Sequence, residues 1–368
     1  PIGIVVGPRD SFLLYPKLKV EVEHTDNLFK TENNEVSDQI LLLSPSFDIR
    51  SNWESHALIL RGLATQALHN ETTVENWIDY RLELDGRFEV LDTGRLAGFL
   101  SVKRGHEDRG SPDDPALVEP AVFHVGTLKL SGAYKADVIL LQLNLTTRRP
   151  DFRDSENDDR DRIEFEARGR AGYEWVPGST AFIEGALDVR DFDEEIDDSG
   201  FMRSSDGFEV LAGNTLDLSG VTFAELGVGY REQRFDDPRL DTAAGFSFSG
   251  SLIWNATDLL TITGHLRRIV RETTVPGASS ALTSAFSLTA DYELLDNLIL
   301  DAQVDFELEE FEGIGRDDEL LRFGLGGRYL IGTNLYAGAR YRFEDRTSDE
   351  VGDSFTVNSF RVFVTTQL

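Results

Sequence analysis

Cysteine is absent from this chain of 368 residues, methionine occurs once, and basic residues are outnumbered by acidic ones. Without cysteine, the chain can form neither a disulfide framework nor a thiolate metal site. Lysine and arginine number 36 against 66 aspartate and glutamate residues, which gives a formal net charge of -30. Proteins bind phosphate backbones through basic surfaces, so this charge argues against nucleic acid as a partner.

Long apolar runs are missing as well. The longest, at 40–43 and 138–141, are far shorter than the ~18 residues that a membrane-spanning helix needs. Helical membrane spans are therefore excluded. The strands of a membrane barrel escape such a test, because only every second residue of a strand faces lipid.

The stretch 80–90 has a strict alternation in place of an apolar run. One parity carries Tyr80, Leu82, Leu84, Phe88 and Val90, and the other carries Arg81, Glu83, Asp85, Arg87 and Glu89. Successive side chains of a strand point to opposite faces, so this segment has one apolar and one charged face. The alternation lasts for about 11 residues, which suits a tilted strand that crosses a bilayer, whereas strands of globular proteins average ~5–6 residues.

The same alternation recurs along the chain, and its segments are joined in turn by long polar links and tight turns. The long links are 69–76, 106–120, 148–161, 191–207, 233–242, 272–279, 312–318 and 345–354, and the tight turns are 91–94, 134–137, 175–179, 217–220, 255–258, 294–297 and 331–334. Outer-membrane barrels alternate long extracellular loops with short periplasmic turns. We therefore predict an all-β, up-and-down antiparallel transmembrane β-barrel of about 18 strands, or alternatively about 16.

The barrel is expected to be a single domain over residues 17–368. Regular alternation begins with Leu18 and Val20, and the last segment, 355–368, can close the barrel on the first strand. Residues 1–16 lack a clean period and are expected to form a periplasmic lead-in. The chain begins with Pro1 rather than methionine, and we expect a signal peptide to have been removed. The predicted location is the bacterial outer membrane, in contact with lipid and lipopolysaccharide.

Five aromatic residues fall on the apolar parity at or just before tight turns. They are Tyr134, Tyr173, Trp254, Tyr292 and Tyr329. Rings at the same end of several strands indicate a periplasmic aromatic girdle, with each ring in the acyl chains and its polar tip among the headgroups. The alternative is that aromatic residues are simply common in strands.

The charged parity supplies the candidate lumen-lining residues. They are Arg81, Glu83, Asp85, Arg87, Glu164, Glu166, Arg168, Arg170, Asp301, Asp305, Arg322, Arg328, Arg340, Arg342 and Arg361. Neighbouring strands lie ~4.8 Å apart, so those near the C-terminus would place an acidic strip beside an arginine strip. Two interpretations stay open. The strips are a selectivity track for a sugar polymer or a small polar solute, or they are cross-strand ion pairs that keep a wet lumen soluble and rigid.

Other chemistry finds little support in the sequence. The long links are rich in carboxylates, as in 151–161 and 191–198, but none has the Asp-x-Asp-x-Asp-Gly spacing of a calcium loop. The six histidines are scattered, and neither Gly-x-Ser-x-Gly nor His-Glu-x-x-His occurs. We therefore expect solvated acidic extracellular loops, no metal site, no cofactor and no enzymatic activity.

Four segments near the start resemble the putative β-barrel porin 2 family. They are Arg9-Asp-Ser-Phe12, Tyr15-Pro-Lys-Leu18, Glu23-His-Thr-Asp-Asn-Leu-Phe-Lys-Thr31 and Asp38-Gln-Ile-Leu-Leu-Leu-Ser-Pro45. The remainder of the chain agrees with the family in pattern rather than in motif. The resemblance implies an outer-membrane barrel and, because several members are associated with exopolysaccharide export loci, a role in such export. It implies no catalytic residues.

The polar lumen and the resemblance together suggest a channel that passes hydrophilic material by passive conduction. Our leading hypothesis is the outer-membrane component of an exopolysaccharide export system, with a periplasmic polysaccharide export protein as partner. The first alternative is a general diffusion porin for small polar solutes. The second is a plugged structural or interaction barrel whose acidic loops bind an extracellular partner.

Overall fold

Nineteen antiparallel strands form one sheet in the computed structural model, which describes residues 3–7, 11–90, 93–114, 119–154, 157–218 and 220–368. The first ten strands are β1 (Ile4–Val6), β2 (Phe12–Thr25), β3 (Asp38–Ser51), β4 (Ala57–His69), β5 (Trp77–Val90), β6 (Gly94–His106), β7 (Val122–Ala136), β8 (Ile139–Phe152), β9 (Arg162–Val176) and β10 (Ser179–Phe192). The others are β11 (Ser205–Leu218), β12 (Thr222–Phe235), β13 (Ala243–Thr257), β14 (Leu260–Arg271), β15 (Ser280–Leu295), β16 (Leu298–Glu312), β17 (Arg316–Leu330), β18 (Leu335–Ser348) and β19 (Phe355–Gln367).

Eighteen of these strands, β2–β19, close into a ring. Each pairs with the strands before and after it in the chain, and β19 pairs with β2 from Gln367 opposite Lys17 to Ser359 opposite Thr25. Every strand of the ring therefore has a partner on both sides, as hydrocarbon requires, because an unpaired backbone N–H or C=O in lipid costs several kcal/mol. The predicted barrel of 18 strands is confirmed, and the alternative of 16 is wrong.

The N-terminal boundary differs from the predicted one at residue 17. Strand β2 begins at Phe12, so residues 12–16 belong to the barrel wall. Pro16 obscured this in the sequence, because proline lacks a backbone N–H and usually marks the end or edge of a strand. The short strand β1 pairs with residues 12–14 of β2, beyond the point where β19 ends. Residues 1–2 and 8–10 of the predicted lead-in lie outside the described residues.

The connections sort into two ends of the barrel. The short-turn end has 52–56, 91–93, 137–138, 177–178, 219–221, 258–259, 296–297 and 331–334, and the long-loop end has 26–37, 70–76, 107–121, 153–161, 193–204, 236–242, 272–279, 313–315 and 349–354. One predicted long link, 312–318, is in fact the tight connection 313–315, because Arg316 and Asp318 continue β17 as a buried ion pair. Parts of four predicted connections, at 91–92, 115–118, 155–156 and 219, lie outside the described residues.

The tight turn at 177–178 illustrates why glycine is needed where strands reverse. Gly178 has a φ of +80°, in the left-handed region that side chains avoid, and a Cβ there would lie 2.4 Å from the backbone oxygen of Asp217.

The outer face of the ring is apolar. Ile183 and Leu187 on β10 each expose 66% of their surface outward, which in a soluble protein would be a costly loss of burial. The five predicted girdle residues lie on the same face at the short-turn end, each with a ring exposed: Tyr134, Tyr173, Trp254, Tyr292 and Tyr329. Lipid is the environment in which this surface is stable.

Small apolar clusters line the inside of the barrel at the long-loop end. Ile40, Leu42 and Ala67 face inward and pack against Leu28 and Trp77. The run at 40–43 is therefore apolar on both faces. Its outward residues face lipid, and its inward residues pack against the loop that follows β2.

Helical structure is confined in the described residues to two single 3-10 turns, Thr73–Glu75 and Asp158–Arg160. No helix among those residues is long and apolar enough to cross a membrane.

The two faces of β7 give a direct test of this arrangement. Leu130 is exposed on the outer face and its neighbour Ser131 faces inward. We expect Leu130→Arg to destabilise the barrel by about 2–4 kcal/mol, because the charge would lie in the hydrocarbon, and Ser131→Arg to change stability by less than about 1 kcal/mol. Reversible urea unfolding from phosphatidylcholine vesicles measures both. Equal losses for the two variants would contradict the assignment of faces.

Candidate functional site

The inner face of the ring carries the charged parity of the sequence. Residues directly opposite each other in paired strands face the same side of the sheet. The register therefore identifies the inward-facing residues of each strand from those of its neighbour. All fifteen predicted lumen residues lie on this face, on β5 (Arg81, Glu83, Asp85, Arg87), β9 (Glu164, Glu166, Arg168, Arg170), β16 (Asp301, Asp305), β17 (Arg322, Arg328), β18 (Arg340, Arg342) and β19 (Arg361).

A network of ion pairs joins the wall formed by β9–β12. The guanidinium of Arg168 contacts Glu184 at 2.7 Å and Glu209 at 2.9 Å. Arg170 contacts Glu184 at 2.7 Å and donates two bonds of 2.8 Å to Glu225. These three glutamates were not among the predicted lumen residues, because they lie on the neighbouring strands β10–β12. The signal that could have found them is the inward parity of β10–β12 together with the register.

A second charged wall runs through β16–β19 and β2. Arg340 pairs with Asp301 across β17, where Gly326 lies between the two strands in register. A Cβ at Gly326 would come within 2.7 Å of the Asp301 carboxylate, so the missing side chain makes room for the pair. Arg361 is held at 2.9 Å by Glu23, which sequence analysis did not propose as a lumen residue. The acidic and arginine strips therefore interlock rather than stand apart.

Other predicted residues make contacts along their own strands. Arg81 pairs with Glu83 on the same strand at 3.2 Å, and Glu164 accepts a 2.8 Å bond from Arg162. Asp305 accepts a 2.8 Å bond from Gln303. Each of these contacts joins residues two positions apart, which lie on the same face of one strand.

The loop between β6 and β7 extends across the lumen. We call its residues 107–114 the cross-lumen loop. Asp113 is buried, and its Oδ1 accepts hydrogen bonds from the Thr273 hydroxyl at 2.6 Å and from the Thr274 backbone N–H at 2.8 Å. Those threonines follow β14, eight strands along from β6 in a ring of 18, so the loop meets the wall almost opposite its origin. Nothing in the sequence pattern indicated this crossing.

Four other contacts hold the cross-lumen loop to different parts of the long-loop end. Asp108 lies 2.8 Å from Lys30 of the loop after β2. Arg109 forms a two-bond contact with buried Glu75, at 2.6 and 3.0 Å. The backbone oxygen of Gly110 accepts a 2.6 Å bond from the Arg346 side chain. Glu107 contacts Arg160 of the loop after β8 at 3.3 Å.

The loop that receives Asp113 is itself fixed by a buried ion pair. Arg203, between β10 and β11, contacts Asp197 at 2.6 Å and donates to the backbone oxygens of Thr273 and Ala278 at 3.1 and 3.2 Å. A guanidinium that satisfies several acceptors at once orders the loops around it.

Beside the cross-lumen loop lies a cavity of about 330 Å³. Its charged lining includes Glu107, Asp113, Arg160, Arg190 and Arg203, so carboxylates and guanidinium groups face each other there. The arrangement can hold polar solutes and water but offers no uniform charge. Among the described residues, no group of three or more His, Asp or Glu side chains is placed to hold a metal ion.

A family model described as "Putative beta-barrel porin 2" matches residues 1–368. Comparison with curated proteins gives no match. Among solved structures, the outer membrane protein OpdK from Pseudomonas aeruginosa is similar at 12% identity, with a TM-score of 0.48 over 96% of this chain and 98% of that chain. OprD from the same organism gives 10% identity and a TM-score of 0.45, covering 96% and 95% of the two chains. A mutant of the ferric enterobactin receptor PfeA from Pseudomonas aeruginosa gives 9% identity and a TM-score of 0.49, covering 96% of this chain and 80% of that chain.

The Asp113 anchor can be tested by conductance. We expect Asp113→Ala to raise the single-channel conductance in planar bilayers, because the loop loses charge-assisted bonds worth about 1.5–3 kcal/mol each. The matched control is Glu119→Ala, which removes an exposed carboxylate from the same connection. Equal conductance in the two variants would show that the contact does not hold the loop across the lumen.

Two aspartates of the loop after β8 make the stability of that loop depend on pH. Burial, together with the negative charges of Asp198 and Asp197, raises the pKa of Asp159. Burial, with Asp151 and Asp193, raises the pKa of Asp161. A carboxylate whose folded pKa is raised binds its proton more tightly when folded, so the loop contacts gain stability as the pH falls through that raised pKa towards 3.8.

We therefore expect residues 157–161 and 193–204 to become more protected from hydrogen exchange on acidification, after correction for the intrinsic pH dependence of exchange. In Asp159→Asn with Asp161→Asn, the protection should already be present at neutral pH. A decrease in hydrogen-exchange protection when the wild type is acidified would contradict the repulsion between the carboxylates of these loops.

Proposed function

The chain belongs to the putative beta-barrel porin 2 family and lies in the bacterial outer membrane, and from this premise we propose that it is a passive diffusion channel for small polar solutes. The observation that carries the proposal is the cross-lumen loop, which joins Asp113 to Thr273 and Thr274 on the far wall. A charged inner face supports water and polar solutes in the lumen, and a loop across it restricts their size.

The long-loop end, in this proposal, faces the cell exterior and the short-turn end faces the periplasm. The difference in connection length between the two ends supports this orientation, because outer-membrane barrels have short periplasmic turns and longer extracellular loops. Solutes would enter past the acidic loops, pass the cross-lumen loop and then follow the charged walls. Lipid and lipopolysaccharide surround the barrel. The direction of flow follows the concentration gradient of the solute.

Export of an exopolysaccharide is less well supported by the geometry. A hydrated polymer would need the cross-lumen loop to leave its contacts with Lys30, Glu75, Arg160, Arg346 and Thr273 together. The contact between the loop and five separate segments opposes such a movement. A periplasmic export partner is accordingly not part of the proposal.

A closed interaction barrel is the second candidate, because the same contacts could also seal the lumen. The two candidates differ in ion conduction. The small-solute channel conducts with the loop in place, whereas the closed barrel conducts only when the loop is released.

Sizing with neutral polymers separates all three functions. We expect wild-type channels in planar bilayers to conduct ions, and only the smallest poly(ethylene glycol)s to enter and lower the current. In Asp113→Ala, larger polymers should enter, because the loop is released from the far wall. Entry of long polymers into the wild type would support polymer export, and a wild type without conductance would support the closed barrel.

A further inference from the structure

Four arginines surround a recess in the lumen wall between β16 and β19. The recess has a volume of about 130 Å³, and its charged lining consists of Arg322, Arg340, Arg342, Arg361 and one carboxylate, Asp305. The lining therefore holds more guanidinium groups than carboxylates, in a chain whose formal net charge is -30. Glu307 and Glu344, which contact Arg322 at 3.1 and 3.7 Å, lie outside the lining. The excess of guanidinium groups in the lining needs a physical explanation.

The strand register brings like charges together here. Arg340 on β18 lies directly opposite Arg361 on β19. Directly opposed residues have Cβ atoms about 4.5–5.5 Å apart, and like charges in such pairs are destabilising. The partners of these two arginines lie to either side, with Asp301 two strands from Arg340 and Glu23 on β2 beyond Arg361. Asp301 and Glu23 thus hold these two guanidinium groups from outside the recess, and Asp305 is the carboxylate that lines the recess with them.

Several donors in the recess have no acceptor. The side chain of Arg342 makes no hydrogen bond with any described residue, and its closest carboxylate, Glu344, lies 3.7 Å away. The buried Nε of Arg322 has no hydrogen-bond partner among the described residues and lies 3.7 Å from Glu344, whereas Nη1 of the same side chain donates to Glu307 at 3.1 Å. A guanidinium presents five N–H donors in a planar fork that fits a carboxylate or a phosphate. The free donors are therefore those that an anionic group would satisfy.

A glycine provides the space for such a group. Gly324 lines the recess, opposite Gln303 on one side and Arg342 on the other. A Cβ at Gly324 would meet no atom closer than 3.8 Å. The space beside this glycine is therefore open, and a larger side chain at position 324 would occupy it. Pockets that enclose a whole ligand usually measure about 300–1,000 Å³, so this recess takes a charged group while the rest of the solute stands in the lumen.

We propose that the recess formed by Arg322, Arg340, Arg342 and Arg361 binds the carboxylate or phosphate group of a small anionic solute during its passage. This inference rests on the proposed function, because it names a solute class for the same lumen. The bound group would accept bonds from the opposed arginines and offset their repulsion, while Asp301 and Glu23 keep them in place. Small acids would then pass in preference to neutral solutes of equal size.

The first experiment measures block of the ion current through the full chain in planar bilayers. The probes are succinate, inorganic phosphate and the neutral analogue succinamide. We expect saturable block by succinate or phosphate but not by succinamide, and the tighter of the two anions identifies the preferred group. In Arg342→Gln with Arg361→Gln, the apparent affinity should fall by about tenfold or more, because charge-assisted bonds are lost.

The matched control is Arg81→Gln with Arg87→Gln, which removes the same charge from the inner face of β5, outside the recess. Succinate and phosphate should block the ion current through this control as they block the current through the wild type. Equal weakening in both double variants would show a general charge effect and overturn the site. Equal block by succinamide would overturn it as well.

A second variant tests the recess without changing its charge. Gly324→Met fills the volume and should abolish the block while leaving the reversal potential in a salt gradient unchanged. Block that persists in this variant would contradict the site. Heat-modifiable migration in gels and circular dichroism verify that each variant is folded.

Titration calorimetry of the detergent-solubilised protein with the same three probes distinguishes failure of the site from failure of the proposed function. Succinate or phosphate binding that Gly324→Met removes would support the site even if no variant conducts. A conducting channel that binds none of the probes would overturn the site and leave the diffusion channel intact.

Discussion

The structure depends on one constraint, which is that a backbone in hydrocarbon must satisfy its hydrogen bonds within the chain. A sheet meets this demand only when it closes, and the pairing of β19 with β2 provides the closure. Closure in turn fixes two faces, because the side chains of every strand alternate. The apolar parity meets lipid, and the charged parity is left to form an aqueous interior without destabilising the wall.

The interior shows how an acidic protein can carry a local positive surface. Along β9–β12 arginines and glutamates neutralise each other, as in the contact of Arg170 with Glu225. Along β17–β19, four arginines line the recess together with Asp305 of β16, and carboxylates outside the recess, such as Asp301 and Glu23, contact those arginines. The wall of β17–β19 is linked to the loops through Glu344, which contacts both Lys30 and Arg322. Since Lys30 also contacts Asp108, the cross-lumen loop and the arginine wall share one ionic network.

Sequence alternation is sufficient for the wall of the barrel and insufficient for its contents. Each strand carries its own period-two signal, so the strand count, the inward residues and the aromatic positions follow from local pattern. Partners such as Glu209 and Glu23 depend on which residues face each other across strands, and the sequence alone does not give the register. The crossing of residues 107–114 depends on contacts such as that of Asp113 with Thr273, 160 positions apart. Pro16 misled boundary prediction because proline usually marks the end or edge of a strand. Arg316 and Asp318 misled it because two charged residues indicate a loop where they in fact pair within β17.

The central claim is that alternate residues of each strand meet lipid and water, and spin labelling of β5 tests it most directly. Because the chain lacks cysteine, single cysteines at positions 80–90 can be labelled one at a time in lipid vesicles. The account predicts that accessibility to oxygen peaks at even positions and accessibility to a water-soluble nickel reagent peaks at odd ones. Accessibility without a period of two, or with the opposite parity, would contradict it.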